Sequence, residues 1–377
     1  MEEWKEYRLG EVVNILDYKR IPLSSAERKT REGRFPYYGA QGIIDYIDDY
    51  IFDGTYLLIA EDGENLKSKK QDIAQLAHGK YWVNNHAHIV ESNGICDIRY
   101  LCYILNNIDL SGYITGSAQP KLNQANLSAI SIILPSLNLQ EQIADFISMF
   151  DNKIELNRRI NDNLEQQAQA LFNYYFIDTP ELLGEFSVGS LADAANYVNG
   201  LAMQKYRPIN GEKGLPVLKI KELGQGRIDS SSDFCSNEID SYYKVYDGDV
   251  IFSWSGTLMV KIWCGGKCGL NQHLFKVSSK TTPKWFYYFW TKHHLDNFIR
   301  IAKDKAVTMG HIKRGELEKA EVLFPNNSVM KKLDTLMAPF LDQIIEKECE
   351  IRKLALLRDT LLPKLISGEL VINDINN

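Results

Sequence analysis

Several things are scarce in this chain of 377 residues, and each absence excludes a class of protein. Long apolar runs are missing. Stretches such as Ile130 to Leu134 fall far short of the roughly 20 residues that cross a bilayer. The opening Met1-Glu-Glu-Trp-Lys has no apolar core of the kind a secretory signal carries, and a cytoplasmic location is expected. The six cysteines (Cys96, Cys102, Cys235, Cys264, Cys268 and Cys349) are scattered, which does not suit a disulfide framework and fits a reducing compartment. Cys264 and Cys268 form the one close pair. With no second pair to complete four ligands, they read as two half-buried thiols of a hairpin, and no metal is expected. There is no Gly-x-x-x-x-Gly-Lys-Ser/Thr loop, no Gly-x-Gly-x-x-Gly, and neither Asn-Pro-Pro-Tyr nor Asp-Pro-Pro-Tyr. Positive charge is also short, since the formal net charge is −6, whereas a small stand-alone DNA binder is usually basic. That counts only weakly against nucleic-acid binding, because partners can share the neutralisation of phosphates.

What the chain does have is a long internal repeat. Ser117 to Pro135 matches Val307 to Pro325 at a shift of about 190 residues, with Leu127 on Leu317 and Pro135 on Pro325. Upstream, Val83-Asn-Asn-His-Ala-His-Ile-Val90 matches Leu270-Asn-Gln-His-Leu-Phe-Lys-Val277. Tyr100–Leu105 matches Trp285–Trp290, and Phe52–Ile59 resembles Tyr246–Ser253. The chain therefore reads as two copies of one unit, each a β-rich globule followed by a long helix.

The globules read as mixed α/β. Tyr56–Ala60, Tyr81–Val83, Val217–Ile220 and Val250–Trp254 are strand candidates, and Asp53-Gly54 and Asp247-Gly248 are turn candidates. Tyr100–Asn106 and Trp285–His294 read as buried helices.

Leu139 to Tyr175 contains neither proline nor glycine, and its apolar residues step by three and four: Ile143, Phe146, Phe150, Ile154, Leu164, Ala168, Leu171. The second copy has Leu333, Leu336, Phe340, Ile344, Ile351, Leu354 and Leu361. These are heptad seams, interrupted by Asn157 and Asn161 in one and by Lys347 and Arg358 in the other, and polar seam residues fix register and partner. A helix of that length, roughly 55 Å, cannot bury its stripe alone, so the two are expected to pack on each other. Pro339 predicts a kink near the start of the second helix, and Pro363 a bend or stop.

The predicted fold class is thus α+β (mixed). Two similar α/β domains are separated by two long antiparallel coiled-coil helices, with approximate two-fold symmetry. The divisions are residues 1–135 for the first domain, 136–177 for the central helix, 178–325 for the second domain, 326–370 for the C-terminal helix and 371–377 for a tail.

Two similar globules on a strut of fixed length suit DNA, whose half-sites recur about every 34 Å. Because the globules differ widely in sequence, they should read unlike half-sites. Candidate contacts in the first are Lys19, Arg20, Arg28, Lys29, Arg31, Arg34, Tyr37, Tyr38, Gln41, Lys67, Lys69, Lys70, Gln119 and Lys121. In the second they are Lys205, Arg207, Lys219, Lys221, Lys261, Lys267, Lys303, Lys305, Lys313 and Arg314. Arg and Lys neutralise phosphates or read guanine, Gln reads adenine, and each also has the plainer reading of a solvated surface charge. His86 and His273 occupy equivalent positions without duplicated acid or nucleophile partners, so structural hydrogen bonds are expected of them, and likewise of Asn84 and Asn271.

The order of these parts resembles the specificity (S) subunit of type I restriction-modification enzymes. Trp4-Lys-Glu-Tyr-Arg-Leu-Gly-Glu-Val-Val13 looks like that family's opening. Tyr38-Gly-Ala-Gln-Gly42 and Phe52 to Gly63 look like its first target-recognition domain, and Asp247 to Gly256 like its second. Leu134-Pro-Ser-Leu-Asn-Leu-Gln-Glu-Gln-Ile-Ala144 with Phe150 to Asn157 is similar to its central helix, and Leu361 to Leu370 to its ending. After Pro325 the second copy departs from the pattern, with Asn-Asn-Ser in place of Leu-x-x-Gln-Glu-Gln. The resemblance implies a non-catalytic, double-stranded-DNA-recognising chain in a complex with two methyltransferase (M) subunits. Those would bind S-adenosylmethionine and methylate adenine N6 in a flipped-out base. Restriction (R) subunits would add ATP- and Mg-dependent cleavage. A stand-alone two-headed DNA binder, a coiled-coil protein scaffold and an enzyme with duplicated sites remain as alternatives.

Overall fold

The computed structural model describes residues 4–116, 119–209, 211–304 and 312–372. They pack into two units. One comprises residues 1–151 with 357–377, the other residues 152–356.

The first unit opens with β1 (Lys5–Arg8), α1 (Leu9–Val12) and β2 (Val13–Ile15), followed by α2 (Ser25–Thr30), β3 (Glu32–Gly39), β4 (Gly42–Ile47) and β5 (Phe52–Ala60). Then come α3 (Asn65–Ser68), β6 (Ala74–Val83), β7 (Ala87–Ser92), α4 (Ile98–Asn107), α5 (Gln124–Ala129), β8 (Ser131–Leu134) and the first long helix, α6 (Leu137–Asn173). Six strands form one sheet in the order β2-β7-β5-β6-β3-β4, and β1 pairs β8 in a separate ribbon. β5 is central because Leu57 to Ala60 are all buried, as a strand covered on both faces requires. The core beneath it takes Tyr100, Leu101, Ile104 and Leu105 from α4, which Asp97 caps by accepting from Arg99 N and Tyr100 N.

The second unit repeats the plan with β9 (Phe186–Ser190), α7 (Leu191–Ala194), β10 (Asn196–Asn199), β11 (Leu215–Leu218), α8 (Ile220–Gln225), β12 (Phe234–Cys235) and β13 (Lys244–Val245). It continues through β14 (Asp249–Ser253), β15 (Met259–Trp263), β16 (Cys268–Leu270), β17 (Leu274–Ser278), α9 (Lys284–His293), α10 (Leu295–Asp304), α11 (Gly315–Glu318), β18 (Glu321–Pro325) and the second long helix, α12 (Asn327–Ile366). Its sheets are β10-β17-β14-β15 and β12-β11-β16-β13, with β9 pairing β18.

The duplication extends to individual bonds. β3 pairs β6 in parallel at Tyr38↔Val83, and β11 pairs β16 in parallel at Leu218↔Leu270. Leu9 N donates to Ile130 O at 2.8 Å, and Leu191 N to Ala320 O at 3.0 Å. The ladders also correct the repeat by one residue. Leu57 faces Val90 as Val250 faces Val277, so Leu57 corresponds to Val250, not to Ile251. The difference matters because a slip of one flips every side chain to the opposite face. Long β6 joins both neighbours, whereas the break at Cys264–Lys267 splits its counterpart into β15 and β16. One sheet therefore becomes two.

Tyr56–Ala60 lies in β5, Tyr81–Val83 in β6 and Val250–Ser253 in β14. Of Val217–Ile220 only Val217 and Leu218 are strand, in β11, because Lys219 caps α8 and Ile220 begins it. The two buried helices are α4 and α9. Two local expectations fail. Asp53-Gly54 is not a turn; Gly54 sits inside β5 opposite Gly79, and two glycines at positive φ let the pair twist without a Cβ penalty. Cys264 and Cys268 do not form a hairpin. β15 pairs β14 while β16 pairs β11 and β13, and both thiols are buried, with burial pushing Cys264 up to about 12.

Each long helix contributes to both units, and within each unit the segments run antiparallel. In the first, Ile143, Ala144 and Ile147 of α6 pack with Leu362 and Leu365 of α12, and Asp151 accepts from Arg358 at 2.7 Å. In the second, Ala168 and Phe172 join Leu333, Met337 and Leu341, and Asn161 Nδ2 donates to Glu348 Oε1 at 2.8 Å. The expected seam holds at Ile143, Ile154, Leu333 and Ile344, which are buried. Phe146, Phe150, Leu164, Leu171, Phe340, Ile351, Leu354 and Leu361 are only partly buried. Leu336 is not a seam residue; it is 40% exposed and Met337 takes its place. A pure heptad reading misses the wider stripe that a helix buries when it also lies against a globule. α12 runs helically through Pro339 and Pro363. Among the described residues, no helix is long and apolar enough to cross a membrane.

Candidate nucleic-acid interface

Equivalent edges of the two units bear unlike side chains on one backbone frame. In the first unit β6 is followed by Asn84, whose backbone N donates to Tyr38 O at 3.0 Å while its Oδ1 accepts from His86 N at 2.8 Å. The second unit repeats both contacts. Asn271 N donates to Leu218 O at 3.1 Å, and Asn271 Oδ1 accepts from His273 N at 3.4 Å. Both asparagines are buried and make the structural hydrogen bonds expected of them. His86 pairs with Asp62 at 2.7 Å and His273 with Ser255 Oγ at 3.0 Å. In each copy the next contact crosses the edge: Glu61 N to His86 O at 2.9 Å, and Trp254 N to His273 O at 3.4 Å.

The first edge is ionic. His88, 1% exposed, directs Nδ1 at Asp17 Oδ2 (2.5 Å) and Nε2 at Leu122 O (2.7 Å). Both ring nitrogens thus face an oxygen. Arg20 Nη1 donates to Glu61 Oε2 at 2.7 Å and to Ala87 O at 2.9 Å, and Lys121 Nζ lies 3.1 Å from Glu61 Oε1. Burial works to raise the Asp17 carboxyl, but the His88 hydrogen bond and charge and the Ile89 amide outweigh it, leaving Asp17 below the usual carboxylate range. Burial likewise works to raise the Glu61 carboxyl, and the bonds from Arg20 and Lys121 outweigh it, leaving Glu61 below its ordinary range. Ligand-capable atoms of Asp17, Glu61 and His88 lie within 4.8 Å of one another. Two cations, Arg20 and Lys121, pair with the carboxylates, and together the groups form an ion-pair network.

The structure divides the candidate contacts. Tyr37 is wholly buried, its ring 5.1 Å from the Arg28 guanidinium, and is removed from any surface role. Arg20 is largely enclosed by its partners, with 15% of its side chain exposed. Arg28 pairs with Asp45 at 2.9 Å, and Arg31 with Asp48 at 2.9 Å while lying over the Trp82 ring. Their charge is spent within the unit. Tyr38 is half-buried against Tyr81. Lys67 donates to Gly116 O and Lys69 to Ile108 O. Lys19, Lys29, Arg34, Gln41, Lys70, Gln119 and Lys121 are exposed, and Lys19 Nζ lies 5.7 Å from the exposed Tyr18 ring. In the second unit Lys205, Arg207, Lys303, Lys313 and Arg314 are exposed. Lys219 pairs with Asp233, Lys221 with Asp229 at 2.9 Å, Lys261 donates to Gly224 O, and Lys267 faces Tyr246. Lys305 lies outside the described residues. Tyr18 and Asp17 are not among the sequence candidates, which took tyrosines only at Tyr37 and Tyr38 and no acidic residues. The motif to look for was an aromatic next to Lys19.

The class of protein is therefore a duplicated α/β protein whose two units present matching edges of different chemistry, each unit including parts of both long helices. The family described as type I restriction modification DNA specificity domain matches residues 1–166 and 184–357, and the chain belongs to it. A type I restriction enzyme MjaIX specificity subunit from Methanocaldococcus jannaschii is 25% identical, over 99% of this chain and 98% of that one. A putative specificity subunit S.HindORF215P from Haemophilus influenzae is 38% identical over 145 residues, 38% of this chain and 36% of that protein. The crystal structure of the S subunit of a type I restriction-modification system from M. genitalium superposes with a TM-score of 0.61 at 14% identity, covering 97% of this chain and 96% of that one, and so shares the fold.

Proposed function

We propose that this chain is the DNA-recognition subunit of a type I restriction-modification complex, with each unit reading one half of a split, asymmetric target. The observation that carries the reading is the duplicated frame with unlike edges. One backbone geometry is closed by Asp17, Glu61 and His88 in the first copy and by Asn199, Trp254 and Phe275 in the second. The exposed segments beside them, such as Tyr18 and Lys19, are therefore held differently in the two copies, as two different half-sites require. The chain selects sequence and does no chemistry on the DNA. Two methyltransferase subunits dock along the long helices and supply S-adenosylmethionine-dependent methylation of adenine N6, and restriction subunits, where present, supply ATP- and Mg-dependent cleavage. The net charge of −6 fits a chain that shares phosphate contacts with such partners and does not bind tightly alone.

The test is to co-express the chain with its methyltransferase subunit and map methylated adenines across the host DNA. A split motif is expected, one half of which changes when Lys19 to Gln41 is exchanged for another subunit's segment. A methylation pattern indifferent to this chain would refute the reading and favour a protein scaffold.

A further inference from the structure

Two copies of one fold in a single chain show what the fold itself needs. In the first unit the edge closes over Asp17, Arg20, Glu61, His88 and Lys121. At the positions of Asp17, Glu61 and His88 the second unit has Asn199, Trp254 and Phe275, where Trp254 Nε1 donates to Asn199 Oδ1 at 3.0 Å and the Trp254 and Phe275 rings lie 5.7 Å apart. One neutral hydrogen bond and an aromatic contact close the same backbone. The fold thus does not require the ions, and withdrawing charges from water is costly unless each is paired and hydrogen-bonded. What the ionic version adds is fixed position. The Arg20 fork spans three segments, with Nε to Asp17 O at 3.2 Å and Nη1 to the Glu61 carboxylate and to Ala87 O. His88 ties Asp17 to Leu122 O, and Lys121 ties the loop before α5 to Glu61. Outside this network stand Tyr18, 78% exposed, Lys19 beside it, and exposed Gln119. Lysine reads guanine and glutamine reads adenine, and both need their backbones held still to do so.

We propose that Arg20, through Asp17, Glu61 and His88, is the positioning residue of the first unit: it aims Tyr18, Lys19 and Gln119 at base edges and does not itself touch DNA. This rests on the DNA-recognition reading above. The test compares the assembled complex with its Arg20→Lys variant, which keeps the charge but loses the planar fork. Binding is measured to the target duplex, to duplexes altered in either half-site, and to an unrelated duplex, with the halves assigned by the segment exchange. Discrimination against changes in the first half-site is expected to fall about tenfold or more. Discrimination in the second half, affinity for the unrelated duplex and the salt slope should stay as they were. If both discriminations persist and only the melting temperature drops, the network is scaffold alone and the proposal is wrong. An equal loss on every duplex, with the salt slope reduced by about one, would make Arg20 a phosphate contact and also overturn it. A wild-type complex blind to sequence would sink the DNA-recognition reading and this proposal together. Should Arg20→Lys fail to assemble, the triple substitution Asp17→Asn, Glu61→Trp, His88→Phe installs the second unit's own packing. It is expected to lower discrimination in the first half-site alone, while affinity for the unrelated duplex and the salt slope rise because Arg20 and Lys121 lose their carboxylates. Unchanged discrimination in the first half-site would overturn the proposal.

Discussion

Truncating Phe172 to alanine should damage the second unit far more than truncating its neighbour Leu171, although a heptad reading places Leu171 on the seam. Phe172 is wholly buried, with ring centroids 5.1 Å from Phe176, 5.6 Å from Phe289 and 5.2 Å from Trp290. A buried Phe→Ala change costs about 3–5 kcal/mol, and lost aromatic pairing places this site toward the upper end. Leu171 is only partly buried, so roughly half that cost is expected. The facing helix offers a sharper pair. Met337 is 1% exposed and Leu336 is 40% exposed. Met337→Ala should cost about 2–4 kcal/mol and Leu336→Ala under about 1 kcal/mol. For a unit of this size each kcal/mol moves the midpoint by roughly 2–4 °C. Calorimetry or thermal circular dichroism would therefore separate Met337→Ala from Leu336→Ala by several degrees. Equal losses at Leu336 and Met337, or a larger one at Leu171 than at Phe172, would show that the buried stripe follows the heptad and that the packing described here is wrong.

Two further outcomes are expected. Asp17 and Glu61 are held below their ordinary range in the folded state, so the stability they lend the first unit is complete above about pH 4.5 and lost as pH falls through their depressed values. Acid unfolding followed by circular dichroism should flatten in the double variant Asp17→Asn, Glu61→Gln, and an unchanged acid limb would disprove the linkage. Gly200→Ala would place a Cβ 2.3 Å from the carbonyl oxygens of Leu270 and Asn271, where β10 leads into the second edge. Such overpacking against backbone should cost about 1–3 kcal/mol and loosen the turn that holds His273, and an unshifted melting temperature would refute it.

Much of the molecule is determined by the sequence alone, because its signals are local or simply repeated. A shift of about 190 residues exposes the duplication, glycine- and proline-free periodicity marks α6, and short apolar runs with aromatic and β-branched residues mark β5 and β14. The structural hydrogen bonds expected of Asn84 and Asn271 are legible because they repeat at equivalent positions, where each side chain bonds the backbone two residues on. Other features depend on contacts between residues far apart in the chain, which no local pattern encodes. The strand break that splits one sheet into two, the choice of Met337 over Leu336, and the burial of Tyr37 were decided by neighbours that only the packed units supply. The charge census failed at the edge for the same reason. Arg20, Arg28 and Arg31 look like phosphate ligands in one dimension, but carboxylates distant in sequence, such as Glu61 and Asp45, reach them once the chain is folded. A charge declares itself in the sequence, whereas whether it remains available for DNA depends on which opposite charge the tertiary structure brings within reach.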